Sequence, residues 1–317
     1  MDIPTIDDIR TAAGRIAGYA RYTPVLTDDG LDELAGAALF FKCEMLQRAG
    51  AFKFRGACNA VMSLTGEVAS RGVATHSSGN HAAALALAAK LRGIPAHVVM
   101  PSNAPEVKRR AVREAGGQVV TCEATLAARE EAAARLVTET GATMVHPYDD
   151  ARVIAGQGTL ALELHKQVPG LDAVIAPVSG GGLMSGIAIA TAGVSPRTEV
   201  YAAEPELADD AFQSLKAGRL VPSSANGVTI ADGLRATLSE RTLAILKKHV
   251  QAVITVSEAE IVAATRLVWE RLRVVAEPSA AVSLAAVVSH SSRFAGKRVG
   301  IVLSGGNLDL DRLPWMQ

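Results

Sequence analysis

From residue 72 onward, short β-forming runs alternate with helical stretches of roughly 10–17 residues, and few folds accept that rhythm. Strands are predicted at 73–76, 96–100, 118–121 and 143–146, with helices between them and a further helix over 151–167. A second series runs through strands at 173–178, 199–203, 252–255 and 298–303, with helices to about 193, at 239–248, at 257–273 and from Pro278 onward. Proline at a first helical position costs nothing, because its missing donor would be unpaired there anyway. Ahead of both series, an amphipathic helix over 5–20 places Ile9, Ala13, Ile16 and Ala17 on one side, and 38–43 reads as a strand. Residues 209–238 are loop-rich and less readable. The fold class is therefore α/β, with parallel-rich sheets flanked by helices. Three strands end in a turn that carries serine and glycine, at Ser78, Ser179 and Ser304. Ligands of such sheets bind at the carboxyl ends of strands, so the three turns should converge on one crevice.

Composition narrows the function. The chain has 317 residues, with 32 Lys+Arg balanced by 32 Asp+Glu. A net charge of zero gives no support for a nucleic-acid partner. Aromatic residues are 4%, too few for base-stacking platforms. Cys43, Cys58 and Cys122 form no paired motif and read as reduced thiols of a cytoplasmic protein. The acidic start MDIPTIDDIR has no apolar core of a signal peptide, and no uncharged apolar run reaches the ~18 residues of a membrane span.

The turns suggest chemistry. Ser179-Gly180-Gly181-Gly182-Leu183 follows a strand and opens a helix, so its N–H groups and the helix dipole can hold one anion. Adjacent glycines fit a compact phosphate better than the spaced dinucleotide fingerprint; the alternative is a tight turn without ligand. Ser77-Ser78-Gly79-Asn80-His81 also joins strand to helix and can hold a carboxylate, with Asn80 a neutral donor; the alternative is N-capping by Ser78 and a structural His81. Ser304, in Leu303-Ser304-Gly305-Gly306-Asn307, can donate to a ring nitrogen without charging it. Lys53 sits between Phe52 and Phe54 ahead of a helical run. Desolvation there would lower its pKa and free the amine to attack a carbonyl; alone it could equally be a surface lysine. A Schiff-base lysine, a phosphate cup and a neutral ring partner together point to pyridoxal 5′-phosphate.

With these motifs in hand, the chain resembles the fold type II pyridoxal-phosphate enzymes of the serine/threonine dehydratase and serine racemase family. The matching stretches are Phe52–Ala57, Ser77–His81, Ser179–Gly182, Ala231-Asp232-Gly233, Glu277–Ala280 and Ser304–Asn307, in family order over nearly the whole chain. The resemblance implies a tryptophan synthase β-like fold, with a small domain over 72–149 and a large cofactor-binding domain formed by 1–71 and 150–317. Lys53 would carry the cofactor, Phe52 would pack beside it, and Asn80 would bond its 3′ oxygen. Gly180, Gly181, Gly182 and Leu183 would hold its phosphate, Ser304 would face the pyridine nitrogen, and Glu277 would lie near the ring. Ser77, Ser78, Gly79 and His81 would meet the substrate carboxylate, with Ser78 acting on the face opposite Lys53. Glu204, Ala208 and Asp210 resemble the cation loop of serine racemases and would offer oxygen ligands to Mg²⁺ or Ca²⁺; the alternative is an acid-rich helix start.

The function expected from this resemblance is a dehydratase (ammonia-lyase) that converts a β-hydroxy L-amino acid, such as serine, threonine or 3-hydroxyaspartate, into a 2-oxo acid and ammonia. Tyr148, Arg129 and Arg235 are candidates for reading the substrate side chain. A serine or aspartate racemase is the nearest alternative, and a non-catalytic ligand-binding protein is the alternative of another class. A homodimer is usual in the group, and no nucleic-acid or membrane partner is expected.

Overall fold

The computed structural model describes residues 2–77, 79–104, 106–222 and 229–316, without the side chains of Val107 and Leu126. Two sheets organise these residues. The larger joins β1 (Val25–Leu26), β2 (Ala38–Cys43), β7 (Ala173–Pro177), β8 (Glu199–Pro205), β9 (Ala252–Val256) and β10 (Arg298–Leu303), in the order β1-β2-β10-β7-β8-β9. Only the β1–β2 pair is antiparallel. The smaller sheet joins β3 (Val73–His76), β4 (Ala96–Pro101), β5 (Gln118–Cys122) and β6 (Thr143–Met144), all parallel, in the order β5-β4-β3-β6.

Parallel strands are covered on both faces, which is why β7 is buried at every position. One core lies between the large sheet and the helices Glu258–Leu272 and Pro278–Ser289. A second lies on its opposite face, against Ala151–Gln167 and Gly182–Val194. The third covers the small sheet and draws in Phe54, Ala57, Cys58, Ala60 and Val61 from the helix Lys53–Met62. That helix therefore links the two sheets, and Lys53 stands at its first position. Glycine lets it approach its neighbour: a Cβ on Gly156 would lie 2.6 Å from the Gly56 Cα.

Some boundaries differ from the sequence reading. The first helix ends at Ile16 and buries Ile9, Ala12 and Ile16, so Ala13 and Ala17 do not share the buried stripe. The stretch over 209–238 contains the helix Asp210–Ala217. A short helix at Asp29–Ala35, capped by the Asp28 side chain, carried too little periodicity to be read. Among the described residues no helix is long and apolar enough to cross a membrane.

Candidate active site

Lys53 is delivered by a stitched corner. Ala51 bridges to Gly305, Phe52 N–H donates to the Ser304 carbonyl at 2.9 Å, and Gly306 N–H donates to the Gly50 carbonyl at 3.0 Å. The end of β10 thus fixes the start of the lysine helix, and Ser304 and Lys53 become neighbours although far apart in sequence. The Lys53 side chain is half-buried and lies 5.1 Å from the Phe52 ring centroid. Its Nζ donates to the Pro147 carbonyl at 2.9 Å. Burial, with no carboxylate to oppose it, pulls its pKa down to about 8. An amine of that pKa has a sizeable neutral fraction near pH 7, so it can act as nucleophile and base.

Beside it, Asn80 Nδ2 donates to Glu277 Oε1 at 2.9 Å, and Asn307 Nδ2 donates to Asn80 Oδ1 at 3.0 Å. Glu277 is buried, and its N–H donates to the Gly305 carbonyl. Burial, then the charge of Asp232, raises its pKa to about 8. The stretches around 52, 80, 277 and 305 therefore form one wall.

The glycine cup faces the end of β7. Gly181 adopts φ 86° and caps the helix Gly182–Val194, whose first-turn N–H groups have no acceptor within the helix. A Cβ on Gly180 would lie 2.4 Å from the Tyr148 ring, and one on Gly181 would lie 2.6 Å from Thr242 Cβ. Glycine is thus required here twice, for dihedral and for space. Ser179 Oγ exchanges hydrogen bonds with the main chain of Ala236, which holds the turn in place.

The third turn begins the helix Asn80–Arg92, where Gly79 N–H donates to Ser77 Oγ. Ser78 lies outside the described residues. His81 is buried, its Nε2 rests on the Val145 carbonyl at 3.3 Å, and burial and then Lys53 lower its pKa to about 3. The ring is neutral and structurally engaged; the main-chain N–H of His81 belongs to the open first turn of the helix.

The sequence reading named Tyr148 as a candidate but missed His146 and Pro147, which form one wall with it. His146 Nδ1 accepts from Tyr148 and Asp149 N–H, so its proton sits on Nε2. Pro147 could not be found beforehand, because a carbonyl acceptor leaves no side-chain signal. Arg235 is committed to the Thr229 carbonyl and Arg129 contacts the Thr125 carbonyl.

Glu204 and Asp210 do come together. Both carboxylates are buried; Glu204 accepts from Ala211 and Phe212 N–H, and Asp210 Oδ2 accepts from Leu238 N–H. Asp210 Oδ1 has no hydrogen-bond partner among the described residues. Burial raises their pKa values to about 9 and about 6. Among the described residues no group of three or more His, Cys, Asp or Glu side chains is arranged to hold a metal, so any third ligand there would be main-chain oxygen or water.

A half-buried, desolvated lysine at a strand-end crevice, a glycine cup opening a helix and a neutral serine suit pyridoxal phosphate as aldehyde, phosphate and pyridine nitrogen demand. The beta-hydroxyaspartate dehydratase of Paracoccus denitrificans is 53% identical over 315 residues, 99% of this chain and 100% of the relative. The serine racemase of Arabidopsis thaliana is 51% identical over 310 residues, covering 96% and 93% of the two chains. The solved structure of maize serine racemase superposes with a TM-score of 0.96 at 46% identity, covering 99% of this chain and 97% of that one. With residues 16–305 matching the family described as pyridoxal-phosphate dependent enzyme, this chain belongs to that family and uses pyridoxal phosphate as its cofactor.

Proposed function

We propose that the protein is a dehydratase that eliminates the β-hydroxyl of a β-hydroxy L-amino acid and yields a 2-oxo acid and ammonia. The observation that carries this is the half-buried, desolvated Lys53 amine, with a pKa of about 8 and, among the described residues, only the Pro147 carbonyl as partner. 3-Hydroxyaspartate is the first substrate to try, because the relative named for that activity is similar over the full length of both chains.

When bound, pyridoxal phosphate supplies the electron sink that makes the substrate α-proton acidic. Lys53 would anchor the cofactor and, once displaced by the substrate amine, would take that proton on the freed Nζ. Phe52 packs beside the ring and Asn80 donates to its 3′ oxygen. Glu277, protonated near neutral pH by its burial, orients Asn80. Gly180, Gly181, Gly182 and Leu183 hold the phosphate through main-chain N–H groups. Ser304 faces the ring nitrogen as a neutral partner. Ser77, Gly79 and the His81 N–H receive the substrate carboxylate, and Ser78 acts from the face opposite Lys53. Glu204 and Asp210, with the Ala208 carbonyl, would hold Mg²⁺ or Ca²⁺; Asp210 Oδ1, unpartnered among the described residues, supports this.

We further propose that 72–149 forms a small domain on the small sheet, against a large domain of 1–71 and 150–317, and that two copies associate. The exposed apolar side chains of Val275, whose main chain lies against the Gly306 turn, and of Leu46 support the association. Three free cysteines support a reducing, cytoplasmic setting.

Racemisation is the second reading, favoured by the similarity to serine racemases. A panel of β-hydroxy amino acids, scored for 2-oxo acid and for D-isomer with and without chelator, separates the two. Release of 2-oxo acid from 3-hydroxyaspartate is the expected result; D-isomer without 2-oxo acid would reverse the assignment. Sedimentation velocity tests the dimer.

A further inference from the structure

The glycine cup has a charged element in its wall that none of the roles above uses. Tyr148 lies against Gly180 and Gly182, and the next residue, Asp149, pairs with Arg241, Oδ1 to Nη1 at 2.8 Å. Arg241 precedes Thr242, which closes on Gly181 from the helix Glu240–His249. The ion pair therefore ties one wall of the cup to the other. Its side chains are 20% and 35% exposed, so solvent and salt screen it less than an open surface pair.

The pair is close but poorly aligned. Arg241 Nε and Nη1 and Asp149 Oδ1 are buried atoms without a hydrogen-bond partner among the described residues. A guanidinium carries five donors in a rigid fork that matches phosphate oxygens, and part of this fork is uncommitted. A buried donor left unmet costs free energy, which an anion nearby would offset. A cation there would add to the hold: a phosphate monoester carries about −1.5 to −2 near neutral pH, whereas a helix N-terminus offers roughly half a positive charge.

We propose that Arg241 is the counter-charge of the phosphate seat, held at the cup wall by Asp149 until the cofactor's phosphate group enters. The proposal rests on reading Gly180–Leu183 as that seat.

The test uses cofactor-free protein with three probes: inorganic phosphate followed by thermal shift, and pyridoxal 5′-phosphate and pyridoxal followed by visible absorption. Arg241→Gln should weaken pyridoxal 5′-phosphate about tenfold, as expected for one charge at moderate effective dielectric. It should also abolish the phosphate-induced rise in Tm and leave pyridoxal binding unchanged. Arg241→Lys should retain part of the grip. Asp149→Asn keeps the cation and removes its competitor, so it should bind phosphate at least as tightly as the parent. Parental phosphate affinity in Arg241→Gln would overturn the proposal. So would a loss in Asp149→Asn equal to that in Arg241→Gln, which would make the pair a mechanical tie. Gly180→Ala, whose Cβ would enter the Tyr148 ring, separates the two levels. Phosphate binding lost in Gly180→Ala but kept in Arg241→Gln removes only the role of Arg241. Binding kept in both removes the seat as well.

Discussion

Lys53 and Arg55 stand two residues apart on one helical turn, yet they meet opposite surroundings. Arg55 is fully buried and every arm of its guanidinium is engaged, by Glu44 at 2.7 and 2.8 Å and by Glu163 at 2.7 and 2.8 Å. Burial alone would lower its pKa; Glu44 and Glu163 overcome that and push it up. Lys42 joins the same cluster, its three donors taken by the Thr23 carbonyl, Glu163 and Gln167. Two cations and two carboxylates cancel there, and the cluster pins β2, the lysine helix and Ala151–Gln167 together. Lys53, by contrast, has one carbonyl partner and no counter-charge among the described residues. The lesson is that a saturated buried charge builds structure, whereas an uncompensated one in a crevice is poised for chemistry.

The largest expected effect breaks the reactive half. Lys53→Ala should lower turnover by at least about a thousandfold, as for loss of a group acting as both nucleophile and base. It should also remove the visible absorption of the lysine-bound cofactor; retained absorption would show that another amine anchors it.

Next comes the structural half. Arg55→Met leaves Glu44 buried without its bidentate cation, and Glu163 with Lys42 alone, and should cost about 3–5 kcal/mol in denaturant unfolding. Arg55→Lys, which keeps the charge but not the fork, should cost less. A loss under about 1 kcal/mol for Arg55→Met would place the cluster among exposed pairs and undo the comparison.

The pH dependence sharpens it. Lys53 reacts as the free amine, so cofactor capture by apo-protein should speed up as pH rises and level off above about 8. A rate still climbing towards pH 10 would mean that Lys53 is not desolvated. Glu277 runs the other way. Its folded pKa of about 8 lies above its ordinary 4.5, so the folded chain binds the extra proton and stability should fall as pH rises between those values. Glu277→Gln should flatten that slope, as read by unfolding at both ends of the window.

The smallest effect is a control. Lys297 pairs with Glu199 at 2.7 Å, but the side chains are 32% and 39% exposed. Lys297→Ala should change stability by less than about 1 kcal/mol.

The strands, the long helices and the glycine turns were legible because each follows from local periodicity and from residues with special backbone freedom. The helix Ala151–Gln167 was read to the residue, since its Asp150 cap and apolar stripe are local signals. Short elements such as Asp29–Ala35 were not, because tertiary packing rather than propensity holds them. The proximity of Glu204 to Asp210 was legible because one seven-residue stretch, from the end of β8 to the next helix, holds both. The Arg55 cluster was invisible, because Glu44 converges on it from one element and Thr159 and Glu163 from another, the helix Ala151–Gln167.

The sequence by itself determined the α/β class, the lysine, the glycine cup and, through six motifs in order, the family. Only the tertiary structure decided what surrounds Lys53: the Pro147 carbonyl as its hydrogen-bond partner, Ser304 brought beside it by the β10 corner, and Tyr148, Asp149 and Arg241 around the cup. The reason is physical. Backbone geometry and hydrophobic period act between near neighbours, whereas desolvation and charge compensation depend on which distant segments pack together, and those set what an amine or a guanidinium can do.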